Sequence, residues 1–162
     1  MRTSVDVHNY LVERDVQHEL FAARGRFRAP ERIATVLDLP PDEVGKVLVF
    51  EGPGGPLAAV VPIGAKVDPK RLQKASGQSK LDKADDHRTF ELTEYLPEST
   101  PPAGLPGKFA TIVDRSLARE DVLYFPGGEA RAILKIRGKD LVKATSAKVA
   151  SILASEGDRG TR

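Results

Sequence analysis

The sequence predicts a single α+β domain with a mixed, barrel-like β-sheet core and short flanking helices. Three observations carry that prediction. Short apolar, β-branched runs recur along the chain, bounded by glycine or proline, as strands of a buried sheet require. A glycine-rich turn joins two of those runs into a hairpin. The helical stretches between the runs are short and irregularly placed, unlike the strand–helix alternation of a regular parallel sheet. A chain of 162 residues suits one domain, here placed at residues 1–155, with the polar stretch 156–162 expected to be a disordered tail.

The elements follow in order. Ser4 to Glu13 reads as a first helix capped by Ser4, with Val5, Leu11 and Val12 on its apolar face. His18 to Ala22 reads as a short strand. In Arg24-Gly25-Arg26-Phe27-Arg28, with Arg32 close behind, alternating arginines suit an extended segment. Such a segment either meets phosphate or forms a solvated edge that resists aggregation. Pro30 then opens a helix to Leu37, since proline is tolerated in a first turn and Ile33, Ala34 and Leu37 share a face.

Val47–Glu51 and Pro56–Val61, joined by Gly52-Pro53-Gly54-Gly55, form the hairpin. Asp68 and Pro69 open a helix that Gly77 closes. Leu81 falls in a brief strand, and Asp85 to Leu92 is helical again. From Glu94 to Gly107 the prolines exclude helix and central strand, leaving a stiff irregular loop. Such a loop either presents backbone groups to a ligand or crosses the surface as a rigid connection. Beyond it, Ala110–Asp114, Val122–Phe125 and Ala132–Ile136 read as strands, the last two joined through Gly127-Gly128. Asp140 is expected to cap a final helix through Lys143, and Lys148 to Leu153 to add a last strand.

Composition removes whole classes of function. There is no cysteine, hence no disulfide, zinc finger or thiol nucleophile. Net charge is +2, so only a local basic patch can mark a nucleic-acid partner. No apolar run is long enough to span a membrane and no signal peptide is read, which makes a cytoplasmic protein the expectation. The three histidines lie far apart in sequence, giving no metal-ligand spacing. No GxSxG elbow, HExxH helix, GxGxxG turn or phosphate loop is present.

What remains is Lys46, at the mouth of Lys46-Val47-Leu48-Val49-Phe50. A lysine there either snorkels to water or turns its ammonium into a cavity. A site built from one cation and backbone donors can hold a polar ligand without a covalent nucleophile.

The order Lys46-Val47-Leu48-Val49-Phe50, Tyr95, Pro102-Ala103-Gly104, Tyr124-Phe125-Pro126-Gly127-Gly128, Asp140-Leu141 and Ala147-Lys148-Val149 resembles the YbaK/EbsC family of aminoacyl-tRNA deacylases. That family shares the fold of the editing domain inserted in bacterial prolyl-tRNA synthetases, and the resemblance runs nearly end to end. It implies a trans-editing hydrolase that cleaves the ester at the 3′ end of mischarged tRNA. It further implies that Lys46 is catalytic, anchoring the 3′ end or stabilising charge. By the same resemblance Ser99, Thr100, Pro101, Pro102 and Gly104 of the loop, with Gly127 and Gly128, bind substrate. Arg24, Arg26 and Arg28 are the candidates for tRNA contact. The implied partners are aminoacyl-tRNA and, as in some relatives, a synthetase; no cofactor and no metal are implied.

The sequence departs from the family pattern at named positions. Glu98 stands where the family's loop glycine falls, Ala23 where some members carry a pocket tyrosine, and Val47 where threonine or asparagine is common. Arg131, Ala132 and Ile133 occupy a strand where some members place a histidine or aspartate. Two other functions stay open on these residues: a non-catalytic tRNA- or nucleotide-binding module, and a hydrolase of another small activated ester or amide.

Overall fold

The computed structural model describes residues 1–155; the expected tail at 156–162 lies outside the described residues. The chain runs α1 (Ser4–Glu13), β1 (Glu19–Ala22), α2 (Glu31–Leu37), β2 (Gly45–Gly52), β3 (Gly55–Pro62), α3 (Pro69–Ser76), β4 (Asp82–Lys83) and α4 (Asp86–Thr93). After a loop come β5 (Ala110–Asp114), α5 (Arg115–Ala118), β6 (Leu123–Pro126), β7 (Ala132–Ile136), α6 (Gly138–Thr145) and β8 (Lys148–Ala150). This is the α+β class that the patterning predicts.

The strands form two sheets. One is three-stranded and antiparallel, in the order β1-β7-β6. The other is five-stranded, in the order β4-β2-β3-β5-β8, with β3, β5 and β8 parallel to one another and β2 antiparallel to its neighbours. A single parallel bridge from Val44 to Tyr124 joins the sheets at the entrance to β2.

The main core lies between the sheets. Ala58, Val60 and Val113 of the larger sheet meet Leu123, Phe125, Leu134 and Ile136 of the smaller, sealed by Val7 and Leu11 of α1 and Leu141 of α6. Alternate residues of β3, Leu57, Ala59 and Val61, pack on the other face against Leu72 and Ile152. Both faces of β3 are therefore covered, which is why its sequence reads as an unbroken apolar run rather than an alternation. A third cluster seats α2 through Ile33 against Phe27, Val44 and Ile133.

Several boundaries differ from the sequence reading for physical reasons. Thr3, not Ser4, caps α1: its hydroxyl accepts from Val5 N, and Asp6 accepts from Thr3 N at 2.8 Å. Ser4 is engaged elsewhere, its amide and hydroxyl both donating to Glu129. Asp140 lies inside the first turn of α6, where Arg137 is the cap residue and pairs with Asp140 at 3.3 Å. β8 stops at Ala150, and Leu153 makes only an isolated bridge to Val67. The short α5 has one local signal, Asp114 accepting from Ser116 N.

Candidate functional site

Lys46 enters β2 through a glycine whose smallness is needed. A side-chain carbon at Gly45 would fall 2.1 Å from Phe125 Cε1, so only glycine lets β2 approach the smaller sheet here. Lys46 pairs with Val61 across the ladder, and its side chain keeps 19% exposure. Its ammonium sits 3.8 Å from Glu31 Oε2, at the start of α2. The lysine thus turns into a cleft of about 270 Å³, lined among others by Arg28, Glu31, Val47, Lys83, Thr89 and Glu98.

One wall of this cleft is an uncovered strand edge. β4 pairs with β2 only at Phe50 and Glu51, and Ala84 N donates to Val49 O at 2.8 Å. In the β2–β3 ladder Pro56, which has no N–H, stands opposite Glu51. The hydrogen-bonded pairs therefore fall at Phe50, Leu48 and Lys46, and the Val47 N–H and C=O project to the other edge, beyond the reach of β4. The neighbouring interior is apolar and small-sided, with Val49, Ala84 and Leu92 in one cluster and Val47 packed against it.

The arginine stretch alternates as its spacing requires. Arg24, Arg26 and Arg28 are exposed while Phe27, at 3% exposure, anchors the segment in the core. Arg28 lines the Lys46 cleft, placing one end of the basic stretch at its rim.

The proline-rich loop is placed differently. Of its residues Pro97 and Glu98 line the Lys46 cleft, whereas Ser99, Thr100, Pro101, Pro102 and Gly104 are buried. Over that stretch the loop is therefore packed into the protein rather than crossing its surface. Its buried portion packs beneath α1: Tyr95 is wholly buried and donates its hydroxyl to Gly104 O at 2.8 Å. Burial raises the Tyr95 phenol well above its ordinary value. Gly104 has φ +85, and an added side-chain carbon would meet Tyr95 Oη at 3.0 Å and Val7 Cα at 3.1 Å. Pro102 and Gly104 line a different cleft, beside Tyr10 and Arg14. Gly127 and Gly128 are buried in the β6–β7 turn, where Gly128 N donates to Ser99 O at 3.0 Å. The turn thus buttresses the loop from behind.

Residues that sequence reasoning did not assign to the site are Glu31, Lys83, Asp86 and Thr89. Glu31 had only its place in a helical first turn, a signal for helix and not for a site. Ala23 and Arg131, both departures from the family pattern, meet each other: the Arg131 guanidinium donates to Ala23 O from Nε at 3.1 Å and Nη2 at 2.9 Å. His8 and His18, distant in sequence, come within 3.0 Å, His18 on a larger cleft of about 470 Å³. That cleft's cations are paired, Lys135 with Glu19 and Arg137 with Asp140, as Lys46 is with Glu31. Its size is greater, but the Lys46 cleft has the open backbone edge and the cation at its mouth. Among the described residues no group of three metal-ligating side chains converges.

Comparison with known proteins bears on the chain as a whole. The family model described as an aminoacyl-tRNA editing domain matches residues 26–144, well over half of the chain. The inferred Cys-tRNA(Pro)/Cys-tRNA(Cys) deacylase EbsC of Enterococcus faecalis is 24% identical over 127 residues, 78% of this chain and 77% of that protein. Among solved structures, hypothetical protein APE2540 superposes with a TM-score of 0.86 at 26% identity, covering 92% of this chain and 99% of that one. An inferred trans-editing enzyme for prolyl-tRNA synthetase shares the fold with a TM-score of 0.82 at 22% identity, covering 94% and 97%.

Proposed function

The chain belongs to the aminoacyl-tRNA editing domain family, and from that membership we propose that it is a free-standing deacylase of mischarged aminoacyl-tRNA. The observation that carries the reading is the Lys46 ammonium, set at the mouth of a cleft whose wall is the open backbone edge at Val47. An aminoacyl ester is already activated, so orientation and charge stabilisation suffice without a nucleophilic triad. Water attacks the ester carbonyl, and the terminal ribose hydroxyl of the substrate helps to activate it. Lys46 anchors the 3′ end or offsets the negative charge that develops on the carbonyl oxygen. The Val47 amide is a second donor within the same cleft. Arg28 at the rim, with Arg24 and Arg26 behind it, meets the phosphates of the acceptor strand. The buried Pro102–Gly104 segment and the Gly127-Gly128 turn serve by holding Pro97 and Glu98 in place.

Hydrolysis after charging is the remedy where binding alone cannot reject a small side chain, since one methylene is worth only about 1–3 kcal/mol. A synthetase partner and a cytoplasmic location accord with this role. Among the described residues no helix is long and apolar enough to cross a membrane.

Glu98 at the cleft favours a second reading, a non-catalytic tRNA-binding module, because a carboxylate there opposes phosphate. One assay separates the two. Wild type and Lys46→Ala are incubated with a panel of aminoacyl-tRNAs, beginning with alanyl- and cysteinyl-tRNA for proline. Release of amino acid by wild type and its loss in the variant is the expected result. Binding of charged and uncharged tRNA alike, with no turnover across the panel, would overturn the deacylase reading.

A further inference from the structure

We propose that Glu98 receives the α-ammonium group of the substrate, so that the cleft selects esters of amino acids whose amino group is free. The proposal rests on the deacylase reading and specifies its substrate class.

Three carboxylates line the Lys46 cleft: Glu31, Asp86 and Glu98. Glu31 is engaged by the Lys46 ammonium at 3.8 Å. Asp86 is exposed in the first turn of α4, where the helix amides already favour a negative charge. Glu98 differs from both. Like Asp86 it has neither an ion pair nor a side-chain hydrogen bond among the described residues, but it is half-buried where Asp86 is exposed. A cation docking beside this cleft-lining carboxylate gains a charge-assisted contact that no protein cation already takes up.

Glu98 is also held on a stiff backbone. It occupies the 3₁₀ turn Pro97–Ser99, in which Ser99 N donates to Leu96 O at 2.9 Å. Thr100 Oγ1 donates to the same carbonyl at 3.1 Å, and Gly128 N clamps Ser99 O at 3.0 Å. Little ordering is left for a ligand to impose.

The chemistry of an aminoacyl ester matches this distribution. Its α-amino group lies one carbon from the carbonyl and is substantially protonated at neutral pH. With phosphate and carbonyl oxygen drawn to Arg28, Lys46 and the Val47 amide, the substrate's one cation is left to Glu98, the more enclosed of the two carboxylates without a partner. On this view the glutamate marks a cleft that reads both charges of its substrate. An N-acylated ester, such as a formylated or peptidyl one, lacks that cation and is rejected.

The test compares alanyl- and cysteinyl-tRNA for proline with their N-acetyl forms, using the full chain. For whichever is hydrolysed, N-acetylation is expected to raise KM roughly tenfold or more in wild type, as loss of a charge-assisted contact does. Glu98→Gln should collapse the KM ratio between the N-acetyl and free-amino substrates toward one, whatever its common effect on tRNA affinity, while Glu98→Asp restores part of the discrimination. Equal kcat/KM for both forms in wild type overturns the ammonium contact and leaves the deacylase reading standing. Hydrolysis of neither form by any member of the panel overturns both.

Discussion

Lys46 Nζ and Glu31 Oε2 stand 3.8 Å apart, joining the first residues of β2 to the first turn of α2 across the mouth of the cleft. The lysine keeps 19% exposure and the glutamate 51%, so the pair is half in water and contributes at most about 1 kcal/mol to stability. Its consequence is electrostatic rather than structural. Glu31 competes for the charge that a substrate phosphate or carbonyl oxygen would take. Glu31→Gln is expected to move the thermal midpoint by no more than about 4 °C. It should also tighten tRNA binding at low salt, checked by calorimetry and equilibrium titration. Weaker binding in the variant would show instead that Glu31 holds Lys46 in its working orientation.

Arg24, Arg26 and Arg28 are exposed on a segment pinned by buried Phe27. If they meet phosphates, replacing all three by alanine weakens tRNA binding and flattens its salt dependence. The slope of log K against log salt should fall by about 0.7–0.9 for each lost contact. Arg28→Ala alone should also raise KM, because Arg28 lines the cleft. An unchanged slope assigns the stretch to solvent.

The Tyr95 hydroxyl and the Gly104 carbonyl make a buried 2.8 Å hydrogen bond beneath α1. Tyr95→Phe strips Gly104 O of this donor, leaving the longer 3.3 Å contact from Arg2, and should cost about 1–2 kcal/mol in urea unfolding. Gly104→Ala combines φ +85 with a 3.1 Å contact to the Val7 backbone, and should cost more than about 1 kcal/mol. Both variants test the loop's role as packing, distinct from any contact with substrate.

Alkaline pH gives an independent check on Tyr95. Its phenol is raised above the ordinary 10.0, first by desolvation and then by the charge of Asp6. The folded state therefore holds its proton more tightly than the unfolded chain, and the associated stability is complete below pH 10. It is lost as pH climbs above that toward the folded value. Tyr95→Phe should show a shallower fall in stability above about pH 10 than wild type. Parallel slopes in the two proteins would exclude Tyr95 as a source of the alkaline transition.

Element type was largely legible in the sequence because it is set by neighbours. The hairpin follows from two apolar runs and a glycine turn. Asp68 caps α3 by accepting from Lys70 N at 2.9 Å, within two residues of itself. Where local rules competed, the distant partner won. Ser4 is the cap that the sequence suggests, but Glu129, a long way down the chain, takes its amide and hydroxyl, and Thr3 caps α1 instead.

The local chemistry of the chain was enough to mark its class of fold, its central hairpin and the lysine at the hairpin's entrance, since propensity, capping and turn geometry act over a few residues. The cleft itself is a matter of contacts between remote segments. Lys46 meets Glu31, Arg28 reaches the rim, and Glu98 comes to the cleft while Pro102 and Gly104 sink beneath α1. Those outcomes depend on how two sheets close around one core and on which strand edge is left uncovered. Packing of that kind is decided among all the elements together, and no single stretch of sequence contains it.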